Sequence, residues 1–184
     1  MTTMKIYRVG EMTPLHLRDD YVRVINREFD EMCHPAIQRT MGYHTRSHCF
    51  FAAPDMSALM RWVWTKGVAG GATVVINEVE VECDEVFAYQ VSKYEQWKDS
   101  GDESYAYAYW EGAVPLMDFM ENIGDYHTAD WEVLLHPSEI IDCREMDLSE
   151  VLDHCLEAVE MRGKREARFE CDIISALDQM TCAA

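Results

Sequence analysis

The chain of 184 residues is long enough to bury one sizeable core and short for two domains, so residues 1–184 read as a single domain. Its 34 acidic and 16 basic side chains give a formal charge of −18, a field that repels phosphate backbones. That excludes direct nucleic-acid binding as the expected function and favours a protein partner with a basic surface. Seven cysteines, odd in number and without a CxxC pair, read as free thiols of a reducing cytoplasm, and no apolar run is long enough to cross a bilayer.

Met4 to Val9 alternates polar and apolar residues up to Gly10, which predicts a first strand carrying Arg8 on the face opposite Tyr7 and Val9. Arg18 to Cys33, with an acidic start at Asp19-Asp20 and a stop at Pro35, predicts a helix. A polar connection from His34 to Thr45 leads to Ser47–Ala52, read as a second, buried strand. Pro54-Asp55 opens a helix whose Met56, Leu59, Met60 and Val63 form one stripe, closing at Lys66-Gly67. Thr73 to Glu82 is the plainest strand, with Val75, Asn77, Val79 and Val81 on one face and Glu78, Glu80 and Glu82 on the other. Glu85 to Val91 is its neighbour through the Cys83-Asp84 turn.

Ser92 to Gly112 has no clear helical or strand period, and its tyrosines at positions 105, 107 and 109 predict a strand or loop edge. Val114 to Asn122 is a short helix, Gly124 to Thr128 a loop, and Glu139 to Cys143 a further strand. Asp147 caps a helix whose Leu148, Val151, Leu152, Cys155 and Val159 keep helical spacing, and basic residues from Arg162 to Arg168 lead into a weaker one. Cys33, His34, His44, His48 and Cys49 match no standard zinc spacing, so no metal site is expected.

The candidate for chemistry is Thr128-Ala129-Asp130-Trp131-Glu132-Val133-Leu134-Leu135. In an extended strand Asp130 and Glu132 share a face, and two adjacent carboxylates have their pKa values pushed apart, which suits acid–base or charge-stabilising work. The same spacing fits solvated acids guarding a buried strand. On either view Glu132 is a partly solvated carboxylate at a strand entrance, so Glu132→Gln is expected to leave the fold little changed.

Arg8 in the first strand, an aromatic second strand leading into a helix, and Asp130-x-Glu132-Val-Leu-Leu-x-Pro late in the chain resemble the mono-ADP-ribosyltransferases of the arginine-serine-glutamate type. The resemblance spans Met4 to Cys143 in three short patches. It implies an α+β fold, a split mixed or antiparallel sheet with flanking helices over residues 1–145, followed by a helical extension over 146–184. It implies NAD as substrate, with Arg8 on the phosphates, Glu132 as the catalytic carboxylate, and Asp130 toward the acceptor side chain. Tyr126 would tip the substrate-recognition loop Ile123–Ala129. Phe50-Phe51-Ala52-Ala53 stands where the family has hydroxyls, so Ser47 and Phe51 are the cofactor-binding candidates of that stretch. An aromatic-Ala-Ala-Asp segment is similar to one in a phage anti-CRISPR protein of this fold, which implies a phage-encoded enzyme modifying a host protein in the host cytoplasm. Arg8 and Glu132 are then expected to face one cleft. The competing expectation, drawn from the charge, is a non-catalytic acidic protein that occludes a basic, nucleic-acid-binding surface of its partner.

Overall fold

Alternation of side chains builds the first sheet. The computed structural model, which describes residues 2–10, 20–32, 45–63, 75–147, 149–151 and 153–154, forms β1 (Thr3–Val9), β2 (Phe50–Ala52) and β3 (Ile76–Glu82). β1 pairs antiparallel with β3, Ile6 opposite Val79 and Arg8 opposite Asn77. β7 (Ile140–Glu145) adds to the far side of β3, giving the order β1-β3-β7. The outward face carries Lys5, Glu78, Glu80, Glu82, Asp142 and Arg144. Buried Glu78 takes Lys5 at 2.9 Å and Arg144 at 3.0 Å.

The second sheet has the order β2-β6-β4-β5, with β4 at Phe87–Gln90, β5 at Val114–Pro115 and β6 at Trp131–Leu135. Every pairing in both sheets is antiparallel. The sheets meet at a single bridge, where Tyr7 and Ala53 exchange both backbone hydrogen bonds, and β1 then diverges from β2. The α+β class therefore holds.

Between the sheets lies one core, built from Ile6, Val79 and Val81 on one side and Phe50, Ala52, Ala88, Val133 and Leu135 on the other. The opposite face of the second sheet presents Phe51, Phe87, Tyr89 and Leu134 to a second, aromatic core with Phe29, Trp97, Tyr109 and Trp110. Helices α1 (Asp20–Glu31), α3 (Val91–Ser100) and α4 (Glu103–Glu111) cover it. α2 (Met56–Val63) begins where Asp55 accepts a hydrogen bond from the Ala58 amide at 3.0 Å, and buries its predicted stripe beside Val9, Ile76 and Met146. α5 is Leu116–Glu121.

The strand or loop edge predicted for 92–112 is corrected to two helices. Gly101, at φ 71°, closes α3 in the left-handed region, and Asp102 caps α4 by accepting from the Ser104 amide at 2.9 Å. These two caps override the period-two tyrosines: Tyr105 and Tyr109 lie one helical turn apart toward the core, while Tyr107 is 41% exposed. Ser47 is also corrected, since the chain makes a turn at 46–48 and enters β2 only at Phe50. After Asp147, whose carbonyl accepts from the Val151 amide at 3.0 Å, only the start of the predicted last helix falls within the described residues. Cys49, Cys83 and Cys143 are free thiols. Among the described residues, no helix is long and apolar enough to cross a membrane.

Candidate active site

Glu132 sits second in β6, and strand alternation sends it to the face of Leu134, away from Trp131 and Val133. It is 2% exposed beneath the aromatic core. A carboxylate so placed requires a charged or hydrogen-bonding partner. Two are present. Arg46, 5% exposed, pairs with Oε1 through its Nη1, and the Tyr109 hydroxyl donates to the same Oε1 at 2.8 Å. Arg46 Nη1 also donates to the Tyr109 oxygen at 2.9 Å, closing a three-membered network. Burial pushes the Tyr109 hydroxyl far above the usual phenol range, against the pull of Arg46, so it is a neutral donor.

The Arg46 guanidinium is wrapped by rings, 3.7 Å from the centre of Tyr94 and 4.5 Å from that of Phe51. Asn26 Oδ1 accepts from its Nε at 3.4 Å and from the Tyr94 hydroxyl at 3.3 Å. Asp30, at the end of α1, holds the turn itself, its two carboxylate oxygens accepting from the Arg46 and Ser47 amides at 2.9 Å each. Burial raises the Asp30 pKa above the usual carboxylate value, opposed by its hydrogen bonds to Ser47 and Arg46 and the Arg46 charge. Tyr109 in turn stacks on Tyr89, centroids 4.9 Å apart at 15°.

Asp130 does not stand beside Glu132. The chain runs through a short 3-10 turn, Thr128–Asp130, before extending, and the Asp130 carboxylate meets Arg61 of α2 at 2.7 Å, both partners about one third exposed. The expectation of adjacent carboxylates fails because the extended backbone starts one residue too late.

Arg8 projects from β1 toward the inter-sheet side, its guanidinium 5.0 Å from the centre of the Phe50 ring, and donates to the Phe51 carbonyl at 2.9 Å. Glu132 projects from the other face of the same β2–β6 pair. The predicted single cleft is therefore corrected: Arg8 and Glu132 are linked through Phe51, whose carbonyl takes Arg8 and whose ring takes Arg46. Ser47 lies in the Asp30-held turn with its hydroxyl 3.0 Å from His48 Nδ1. Tyr126 is not at an open loop tip; it stacks on Phe119 at 4.5 Å and against Trp131 at 5.1 Å, on the inter-sheet side.

The sequence reading missed Arg46, Tyr109, Asp30 and Asn26. Among the described residues no group of three or more His, Cys, Asp or Glu side chains has metal-holding geometry; Cys33, His34 and His44 lie outside them. Comparison of the chain with protein-family models, curated proteins and solved structures finds no match.

Proposed function

We propose that the chain is an NAD-dependent mono-ADP-ribosyltransferase on a split-sheet fold of that family's kind, modifying a host protein with a basic surface, and that it is phage-encoded counter-defence acting in the host cytoplasm. The observation that carries this reading is the state of Glu132. It is buried at the start of an apolar strand, fixed through Oε1, and among the described residues its Oε2 receives no hydrogen bond. A carboxylate oxygen accepts from more than one donor, so a ligand donor such as a ribose hydroxyl suits Oε2.

In the reaction, the bond between ribose and nicotinamide breaks and nicotinamide leaves with the electron pair. Positive charge develops on the ribose, a nearby carboxylate stabilises it, and the acceptor's nucleophile bonds to the ribose and gives up a proton. In this reading Glu132 supplies that carboxylate, Asp130 the polar rim toward the acceptor, and Arg8 a cation for the pyrophosphate. Phe51 lies between the last and the first. Arg8 and Glu132 use opposite faces of β2–β6, so the reading rests on Glu132, and the role of Arg8 is for the Arg8→Gln variant to decide. Ser47 and Tyr126 are the weaker members of the site, one engaged in the Asp30-held turn and the other in the core.

The test is label transfer from adenylate-labelled NAD to lysate protein, together with nicotinamide release, by the wild-type chain. Release that falls by about two orders of magnitude in Glu132→Gln, measured per folded molecule, is the expected result. Absence of both activities in the wild type rejects the transferase. An unchanged KM for NAD in Arg8→Gln removes Arg8 from the site and leaves Glu132 in it. The second reading, an acidic occluder of a basic surface, is favoured by the charge of −18 and the exposed acids flanking β3. It predicts unlabelled but stable complexes that dissociate with rising salt.

A further inference from the structure

We propose that Arg46 and Tyr109 are positioning residues for Glu132: by occupying Oε1 together, they fix the carboxylate so that Oε2 alone is offered to a donor on the substrate. The inference rests on the transferase reading of Glu132 and adds two residues to it.

A buried Arg–carboxylate pair that served stability alone would gain most from the two-point fork in which two guanidinium nitrogens meet both oxygens. Arg46 forgoes that arrangement. Its Nη1 reaches only Oε1, and the same Nη1 donates to the Tyr109 oxygen. Tyr109 then spends its single proton on Oε1 as well. Two donors therefore converge on one oxygen while the other stays open among the described residues.

The supports of these donors are themselves fixed. The guanidinium is held flat by the Tyr94 and Phe51 rings and by Asn26, and its backbone by Asp30. The Tyr109 ring is held by its stack on Tyr89 and by Phe29, 5.1 Å away edge to face. The two donors come from the 45–48 turn and α4, and the groups that hold them come from α1, α3 and the second sheet. This is the order that an electrostatic stabiliser requires, since a carboxylate aimed before the charge develops needs no reorganisation during the reaction.

The test is steady-state release of nicotinamide from NAD by the full chain, comparing wild type with Tyr109→Phe, Arg46→Met and Arg46→Lys, with a melting curve for each. Tyr109→Phe keeps the ring and its stacking, so it decides the matter even if Arg46→Met fails to fold. A kcat lowered roughly ten- to a hundredfold in Tyr109→Phe, with KM for NAD within about twofold of wild type, is expected. Arg46→Lys should recover part of the loss seen in Arg46→Met, because it restores a charged donor without the flat stacking. If Tyr109→Phe and every Arg46 variant that folds show lower melting temperatures but kcat per folded molecule within about twofold of wild type, the positioning role is overturned and the NAD reading stands. If the wild type releases no nicotinamide, both fall.

Discussion

Removing one member of the Arg46–Glu132 pair should be among the most damaging single changes in this protein. Both side chains are buried, at 6% and 3% exposure. Glu132→Ala leaves the guanidinium in the aromatic core without its counter-charge, a situation that costs about 3–5 kcal/mol. In a chain of this length each kcal/mol moves the melting temperature by about 2–4 °C, so a drop of roughly 6–20 °C is expected. Glu132→Gln keeps an acceptor oxygen for Arg46 and Tyr109 but not the charge, and should lose about 1.5–3 kcal/mol. This replaces the expectation, drawn from sequence, that Glu132→Gln is neutral for stability. The double variant Arg46→Met with Glu132→Leu separates ion pairing from packing. A buried pair exchanged for apolar groups of similar size is often neutral, which leaves mainly the stranded Tyr109 hydroxyl, worth about 1–3 kcal/mol. The double variant should therefore be more stable than either Glu132→Leu or Arg46→Met alone, a large non-additivity measurable by urea denaturation of wild type, these two single variants and the double. If Glu132→Ala lies within about 0.5 kcal/mol of wild type, or the losses simply add, the pair is not the buried unit described above.

Asp30 gives the molecule a pH signature. Its folded-state pKa is raised by burial, so the native protein holds this proton more tightly than the unfolded chain does. The associated stability is fully present below the unfolded value, about 4, and is lost as pH rises through the folded one. Wild type should thus lose stability relative to Asp30→Asn as pH rises above the unfolded carboxylate value, and a constant gap between their urea midpoints as pH rises from there would contradict the burial argument. Gly101→Ala should cost about 1 kcal/mol, because the residue sits at φ 71° although the space around it is open; a urea midpoint at or above that of wild type would show that α3 ends in another way.

What could be read from the sequence was what lies close together in it. β1 and β3 were visible because their alternation is local, and α2 because its stripe and its Asp55 cap fall within a few residues of each other. The Val133-Leu134-Leu135 run marked β6 for the same reason. The helices α3 and α4 were also signalled locally, by Gly101 and Asp102 at their junction, but the alternating tyrosines carried the opposite message, and the caps, with packing of Tyr109 against Phe29 and Tyr89, decide for helix. Glu132 was found because it borders an apolar run. Arg46 was not, since its partner is 86 positions away and nothing around it in the chain distinguishes a buried arginine from a solvated one. Nor does local sequence show that Asp130 turns aside to Arg61, since that depends on where the 3-10 turn releases the backbone.

β6 is an interior strand, clasped by β2 on one edge and β4 on the other. The direction in which Glu132 points is consequently a property of register, not of the residues beside it. A slip of one position would deliver Trp131 to the guanidinium and drive Glu132 into the apolar layer between the sheets, and both neighbouring ladders would have to shift to permit it. The connection from Ile123 to Asp130 is held in another way, by the Tyr126 ring on Phe119 and Trp131, by buried Thr128 and by the Asp130–Arg61 pair, and not by strand register. The aim of the carboxylate and the course of the connection before it therefore rest on separate contacts, ladder hydrogen bonds for the first and side-chain packing for the second.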